Sequence, residues 1–460
     1  MTSVVSAETE HSADGSGSSY LAAGSHLFGL RLVQYGLLFA ANVLASRALG
    51  TAGRAQYALP INLATLVWIA VNLSLDGSAG AMLARREVSL RALSRFLAAA
   101  ALVLGALGAV ATLVIGLRIS DSLLAHASEQ AVELAAVTVP LTLAAQLAMG
   151  LLVRLGALRA YGWSTIVGAT VQLTFIAVLA ATGGLTPARA IGGTAIGLLV
   201  IVSLLMVALA RRVGARALVP ALEWSVIRRA LAGGLAVHPA TLALQLNLRV
   251  DLLIVSALLS VHEAGLYSLS TSLVSVLYLA VWTLTASSAQ TQTNAPLDVA
   301  NRYTLDFVRN SWMFALAAAL ALAAVAWPLI RLVFGAAWTG SAVPFMVLAS
   351  ATVMLSIEAP VRIMLMRMRR ASWISAASCA GMLLNVGLNF SLIPLLGILG
   401  AALASVASYS LHAILMLVLF GRASGLDVRS ALRPRRGVLS LSMVPWVGRW
   451  IGGKARGDRA

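Results

Sequence analysis

The chain is dominated by apolar stretches that are each long enough to cross a lipid bilayer. A hydrocarbon core of about 30 Å takes about 20 helical residues. Mean hydropathy is +0.91, and only 11% of the 460 residues are charged, where soluble domains carry about 25%. The alternating polarity of barrel strands is absent, which favours helical spans. Twelve such stretches lie roughly at residues 26–47, 58–82, 96–117, 131–153, 162–182, 190–210, 232–259, 265–288, 311–334, 342–365, 372–394 and 397–420.

The first half of the chain is echoed in the second half. Residues 46–79 align with residues 256–289 at a constant shift of 210, with nine identities in 34 positions. Six spans per half is an even number, so both halves run the same way through the membrane, and paired repeats usually enclose a substrate path. The sequence therefore predicts an all-α polytopic membrane protein: about 12 transmembrane helices in two six-helix lobes, related by a pseudo-twofold axis along the membrane normal.

Positive charge is concentrated on one side of this topology. If the N-terminus is cytoplasmic, 25 Arg and Lys residues fall on the cytoplasmic side and five on the other, as the positive-inside rule requires. The expected location is the cytoplasmic membrane, with both termini cytoplasmic. This asymmetry accounts for most of the net charge of +17 without a nucleic-acid partner.

The same charges divide the chain into segments. We predict a disordered cytoplasmic tail over 1–25, an N-lobe over 26–210, a cytoplasmic linker over 211–231 and a C-lobe over 232–420. The basic tail over 421–460 carries Trp446 and Trp450 among its charges. It either rests on the anionic inner leaflet or is untethered.

Catalytic and metal-binding signatures are absent from the sequence. The six His residues are scattered, the chain has a single cysteine at Cys379, and neither H-E-x-x-H nor G-x-S-x-G occurs. We expect no enzyme activity, no cofactor and no metal site. A membrane polysaccharide polymerase or ligase is the alternative of another class, and the short extracytoplasmic loops argue against it.

The last predicted hairpin carries the most specific motif. Residues 385–404 read Asn-x3-Asn-x2-Leu-Ile-Pro-x2-Gly-x2-Gly-Ala-Ala-x-Ala, which closely resembles a hairpin of bacterial polysaccharide and O-antigen flippases. These are members of the multidrug/oligosaccharidyl-lipid/polysaccharide exporter superfamily. Residues 47–57 are similar to that family's link after the first span, although Gln56 stands where Gly is usual. Asp251 with Gly265-x-Tyr267, and Asp76-Gly77 with Arg85-Arg86, also resemble family motifs.

The resemblance extends over roughly residues 25–420. It implies a two-lobed transporter that flips undecaprenyl-diphosphate-linked oligosaccharide across the membrane by alternating access. It implies neither the sugar nor the coupling ion, for which H⁺ and Na⁺ are the candidates. The partners expected are the lipid-linked oligosaccharide and membrane lipids, and a monomer is assumed. A drug/cation antiporter of the same superfamily is the main alternative, although a cation exporter would favour an acidic, aromatic cavity.

Charged residues inside spans are costly and normally face a protein interior or a wet cavity. In predicted span seven, 100° per residue places His238, Gln245 and Arg249 on one stripe and Asp251 on the opposite side. A guanidinium can grip a diphosphate through two hydrogen bonds. We therefore predict substrate binding by Arg31, Arg249, Gln245 and His238. The alternatives are snorkelling of Arg31 to the headgroups and a structural ion pair for Arg249.

Four charged positions have other expected roles. Glu358 and Arg362 are four residues apart on one helix face, which predicts a structural ion pair. Asp76 and Asp251 are candidates for the coupling-ion site, because a carboxylate in a protein-lined cavity can titrate near neutral pH. For Asp76, an interaction with Arg85 or Arg86 at the helix end is an equal alternative.

Overall fold

The computed structural model describes residues 5–433, and within that range it contains helices and no strand. Three short 3₁₀ turns, Ala215–Leu218, Ala336–Ser341 and Val428–Leu432, accompany fourteen α-helices. The predicted all-α fold is therefore confirmed. In chain order the helices are α1 Val5–Asn72, α2 Leu75–Ala84, α3 Leu90–Leu123, α4 Glu129–Arg154, α5 Leu158–Ala181, α6 Pro187–Val213, α7 Trp224–Leu235, α8 His238–Asn247, α9 Val250–Leu258, α10 Val261–Asn294, α11 Leu297–Val333, α12 Ala342–Arg367, α13 Ala371–Leu396 and α14 Ile398–Ser424.

The described helices supply twelve membrane crossings. Ten helical segments are long and apolar enough to span a bilayer, and the pair α8 and α9, bent by 40°, forms an eleventh. The first of the ten, Gly29–Ala84, has 56 residues and folds back at Gly50. Its two arms touch, because Arg54 Nη1 donates to Asn42 Oδ1 at 2.9 Å, whereas these residues would lie ~18 Å apart along a straight helix. Counting this hairpin as two crossings gives the predicted twelve.

The hairpin depends on the backbone of Gly50. Its φ of 68° and ψ of −177° fall in a region that only glycine adopts without strain. We expect Gly50→Ala to lower the free energy of unfolding by about 1–3 kcal/mol, seen as a lower melting temperature of the purified protein. Gly36→Ala is the matched control, because Gly36 is helical and has open space where a Cβ would lie. An unchanged melting temperature for Gly50→Ala would contradict this account of the turn.

The loops define two opposite faces of the membrane region. The Gly50 face carries Gly50, the loops 124–128, 182–186 and 259–260, the turn Ala336–Ser341 and Gly397. The linker face carries the loops 85–89 and 155–157, the linker 214–223, and the loops 295–296 and 368–370. All helices before the linker form the N-lobe, and α8 to α14 form the C-lobe.

The two copies of the 210-residue repeat meet at the interface between the lobes. The second arm of the α1 hairpin packs along α10, its counterpart in the repeat. The largest apolar cluster is continuous across this contact, with Leu59 and Leu63 from the N-lobe and Leu266 and Leu273 from the C-lobe. The predicted pair of lobes thus encloses a shared core near the pseudo-twofold axis.

Three segments flank or join the lobes. Helix α1 begins at Val5, within the predicted N-terminal tail 1–25. The predicted cytoplasmic linker contains most of α7, which packs against α2. Of the predicted basic tail, residues 421–433 are described, and Trp312 Nε1 donates to the Ala431 carbonyl at 3.0 Å. The segment predicted to lie on the membrane, 434–460, falls outside the described residues.

Candidate substrate cavity between the lobes

A polar cavity lies between the lobes where the two repeats face each other. Its volume is about 250 Å³, and most of its walls come from both arms of the α1 hairpin, from α10 and from the break between α8 and α9. Its lining combines hydroxyl, amide and charged groups with apolar side chains. The polar and charged lining residues are Asn42, Arg54, Tyr57, Asn62, Thr65, Arg249, Asp251, Ser268, Thr271, Ser272, Ser275, Tyr278 and Tyr409.

Arg54 is a cation buried at the lobe interface. Its side chain is 1% exposed. Nη1 donates to Asn42 Oδ1 at 2.9 Å and to Ser46 Oγ at 2.6 Å in the N-lobe. Nη2 donates to Ser272 Oγ at 2.7 Å in the C-lobe. Nε has no hydrogen-bond partner, and no carboxylate of a described residue forms an ion pair with this guanidinium.

Arg249 supplies the second guanidinium of the cavity wall. It lies at the break between α8 and α9, where its φ of −138° departs from helical geometry. The backbone carbonyl of Arg249 accepts a hydrogen bond from Asn62 Nδ2 of the N-lobe at 3.0 Å. Its side-chain Nε is buried and has no hydrogen-bond partner among residues 5–433. The break in span seven thus places both a free donor and a contact between the lobes at the cavity.

Asp251 is held by the C-lobe rather than by either arginine. It is 2% exposed, and its Oδ2 accepts from Tyr267 at 2.6 Å and from Ser405 at 3.1 Å. Its Oδ1 accepts from the backbone N–H of Leu252 at 2.8 Å. These donors satisfy the carboxylate, which forms no ion pair with Arg54 or Arg249. With two guanidiniums against one satisfied carboxylate, the cavity is suited to an anion.

The Gly50 face of the cavity is closed by direct contacts between the lobes. Thr51 Oγ1 lies 2.8 Å from His262 Nδ1, and Arg47 Nη2 donates to the Leu332 carbonyl at 2.8 Å. Gly265 packs against the backbone of Thr51, and a Cβ at this position would lie 2.0 Å from the Thr51 carbonyl oxygen. Only glycine permits so close an approach. The lobes are therefore sealed at this face.

Span seven is not one continuous helix, so the stripe predicted for His238, Gln245 and Arg249 does not form. Its two helices are bent by 40°, so positions before and after residue 248 do not share one stripe. Arg249 lines the cavity, but His238 and Gln245 do not. His238 instead lies against the N-lobe, with Nδ1 3.3 Å from Ser74 Oγ. Gln245 is half-buried in α8.

Arg31 and Asp76 also lie outside the cavity lining. Arg31 Nη1 donates to Gln34 Oε1 at 3.1 Å, and its guanidinium lies 4.8 Å from the Tyr161 ring centroid. Because 11 residues are close to three helical turns, Arg31 shares a helix face with Asn42 but lies nearer the linker face. Asp76 is exposed at the linker face, where its Oδ1 accepts from Asn72 at 3.3 Å. Neither alternative partner, Arg85 or Arg86, pairs with it.

The predicted ion pair in α12 is present. Arg362 Nε lies 3.0 Å from Glu358 Oε1, and the same guanidinium lies 5.1 Å from the Trp282 ring centroid. Glu358 is buried. The pair neutralises two charges within the C-lobe and is separate from the cavity lining.

The fold and the cavity define a multi-pass membrane protein of two lobes with a polar cavity between them. The sequence matches the family described as polysaccharide biosynthesis protein over residues 61–343, which is more than half of the chain. The chain belongs to this family. No curated protein sequence matches it.

Solved structures with the same fold are transporters and a flippase of the MOP superfamily. An inward-facing multidrug resistance MATE transporter has a TM-score of 0.70 at 12% identity, covering 85% of this chain and 94% of its own. The lipid II flippase MurJ, inward closed, has a TM-score of 0.64 at 12% identity, covering 91% and 96%. A MOP superfamily transporter from Pyrococcus furiosus has a TM-score of 0.59 at 12% identity, covering 90% and 96%. At these identities the likeness concerns the fold.

Proposed function

We propose that the protein is a flippase that moves polyprenyl-diphosphate-linked oligosaccharide across the cytoplasmic membrane for the synthesis of cell-surface polysaccharide. The observation that carries the proposal is the pair of guanidiniums, Arg54 and Arg249, in an interlobe cavity where the one carboxylate is already satisfied. A diphosphate offers several oxygens to such donors, and charge-assisted hydrogen bonds are strong in a site of low dielectric. Membership of a polysaccharide biosynthesis family supports the substrate class.

The transport step in this proposal uses the existing contacts of Arg54. Without substrate, its Nη2 is bonded to Ser272 of the C-lobe. A phosphate held by Arg249 competes with Ser272 for the N–H donors of Arg54. This competition removes a hydrogen bond between the lobes beside the sealed Gly50 face. Substrate binding thereby favours opening at that face, as alternating access requires. Arg31 serves as an entry contact nearer the linker face, whereas His238 and Gln245 take no part in binding the phosphates.

The direction of transport follows from charge. The linker face carries most of the arginines, so we assign it to the cytoplasm by the positive-inside rule. The substrate then enters from the inner leaflet and leaves at the Gly50 face. The protein acts as a monomer in this proposal and performs no chemical step.

The drug/cation antiporter is the second candidate, because MATE transporters share the fold. An organic cation would have to enter beside two guanidiniums, and like charges disfavour this in a site of low dielectric. The carboxylate that would attract a cation, Asp251, is already bonded to Tyr267 and Ser405. The polarity of the cavity therefore favours the anionic substrate.

A cellular experiment tests the proposed function. We expect Arg249→Ala to abolish surface polysaccharide in a strain that depends on this protein, while the variant still inserts normally into the membrane. Arg118→Ala is the matched control, because Arg118 is an exposed arginine outside the cavity, and it should leave surface polysaccharide unchanged. Full surface polysaccharide with Arg249→Ala would refute the assigned role.

Coupling to H⁺ or Na⁺ is a separate proposal that rests on Asp251 or Asp76. We favour Asp251, because it lines the cavity while Asp76 is exposed at the linker face. Asp251→Asn should make transport by the reconstituted protein insensitive to imposed proton and sodium gradients, and Asp76→Asn should leave the sensitivity intact. If transport by Asp251→Asn still follows either gradient as the wild type does, Asp251 is not the coupling site.

A further inference from the structure

A second cavity lies inside the N-lobe and shares no lining residue with the interlobe cavity. Its volume is about 300 Å³. Helices α3 and α6 each pack along α4, and the turn Ala215–Leu218 contacts both at the linker face. Leu102, which lines the cavity on α3, is 62% exposed, so the cavity opens sideways towards lipid. Apart from Ser94, its lining is apolar: Leu97, Ala98, Ala101, Leu102, Ala144, Leu147, Ala148, Leu151, Val202, Met206, Leu209, Leu218 and Pro220.

The dimensions of this N-lobe groove match a single hydrocarbon chain. Its lining runs from Ser94 to Leu102 on α3, nine residues that rise ~12 Å along the helix. The lining residues of α4 and α6 cover the same depth from the linker face. A volume of about 300 Å³ along ~12 Å of helix is of the size that a single hydrocarbon chain fills. The groove therefore fits an acyl chain of a lipid in the leaflet at the linker face.

Arginines surround the polar end of the groove. Arg95 directly follows the lining residue Ser94, and its Nε donates to the Val219 carbonyl at 3.3 Å, between the lining residues Leu218 and Pro220. Arg91 on α3, Arg212 on α6 and Arg216 in the turn each lie within three residues of the lining, and all three are exposed. None of the four forms an ion pair with a described residue. The four arginines of this rim are Arg91, Arg95, Arg212 and Arg216.

We infer that the N-lobe groove binds one anionic phospholipid, with an acyl chain between α3 and α6 and its phosphate at the arginine rim. Basic residues at the headgroup level attract anionic lipids, and four unpaired guanidiniums at the mouth of an apolar groove combine both requirements. The tail of the transported substrate is a poorer fit. Its diphosphate is assigned to Arg54 and Arg249 in the interlobe cavity, whereas the groove has its headgroup end at the linker face.

Native mass spectrometry of the purified full-length protein tests this site, with phosphatidylglycerol, phosphatidylcholine and a prenyl diphosphate as probes. We expect a phosphatidylglycerol adduct that outlasts the phosphatidylcholine adduct. Arg95→Gln and Arg216→Gln should each weaken phosphatidylglycerol binding about fivefold. Arg302→Gln removes the same charge from the linker face of the C-lobe, where the side chain is exposed, and should leave binding unchanged.

Filling the groove provides the second arm of the test. Ala101→Phe should abolish the phosphatidylglycerol adduct and retain prenyl-diphosphate binding, which also reports that the protein is folded. Ala98→Leu is a milder filling variant if Ala101→Phe does not fold. The inference fails if phosphatidylcholine binds as well as phosphatidylglycerol, or if both filled variants retain the adduct. It also fails if the filled variants lose prenyl-diphosphate binding and retain the phospholipid adduct. These outcomes leave the proposed function intact, because no variant touches the interlobe cavity.

Discussion

Gly265→Val is expected to abolish transport by preventing closure of the Gly50 face. A Cβ at residue 265 would lie 2.0 Å from the Thr51 carbonyl oxygen and 2.7 Å from its carbon, and both atoms belong to backbone that has no rotamer to change. The lobes must therefore separate at this face. Shifting the equilibrium between the closed and open Gly50 face from 99:1 to 1:99 takes about 5.5 kcal/mol. The steric overlap of the added Cβ with the Thr51 backbone is large enough to supply this energy.

Cross-linking across the lobes measures this effect directly. Thr51→Cys and His262→Cys place thiols where the two side chains now meet at 2.8 Å, in a background in which the single cysteine, Cys379, is replaced by serine. A short bifunctional thiol reagent should link the pair efficiently, and adding Gly265→Val should abolish the link. Gly387→Val is the control, because a Cβ at Gly387 has open space around it. Efficient cross-linking of the Gly265→Val protein would show that the lobes close by another route.

Arg54→Gln is expected to weaken binding of a prenyl diphosphate by about 10- to 100-fold, since hydrogen bonds to charged groups are worth about 1.5–3 kcal/mol. The same change removes the bond from Nη2 to Ser272, so the Gly50 face should open more often even without substrate. These two effects distinguish Arg54 from Arg249, whose guanidinium makes no bond between the lobes. Arg249→Gln should weaken binding similarly and leave the cross-link unchanged.

Ligand affinity and cross-linking can be measured on the same preparation. Arg331→Gln is the control for loss of one positive charge, because Arg331 is exposed near the Gly50 face and stacks on Trp327. Arg54→Gln with normal affinity would remove this residue from the phosphate site. Normal affinity together with reduced cross-linking would leave Arg54 a contact between the lobes alone.

Much of the architecture could be predicted because it depends on local composition. Each span is an apolar run of bilayer length, and the even number of spans in each half fixes the parallel orientation of the lobes. The ion pair of Glu358 and Arg362 was also predictable, since residues four apart on a helix meet whatever the tertiary structure. Both residues lie on one helix, so their pairing can be predicted without knowledge of the tertiary fold.

The cavity was less accessible to sequence reasoning, because it depends on where helices turn and break. Arg54 falls between the predicted spans 26–47 and 58–82, yet the sharp turn at Gly50 starts the next helix at once and buries this arginine between the lobes. One signal was available: the repeat places Ala264 opposite Arg54, so this arginine is not required by the duplicated fold. The break at residues 248–249 contains neither Pro nor Gly, and it displaced His238 and Gln245 from the predicted stripe.

The interlobe cavity is proposed to carry a diphosphate-linked sugar lipid. The most direct measurement is flipping of a fluorescent polyprenyl-diphosphate oligosaccharide by the purified protein in liposomes, followed as the label becomes accessible on the opposite leaflet. We predict flipping by the wild-type protein, its loss in Arg54→Gln and Arg249→Gln, and no uptake of a cationic dye under the same gradients. Dye transport without lipid flipping, or flipping that survives both substitutions, would contradict the account.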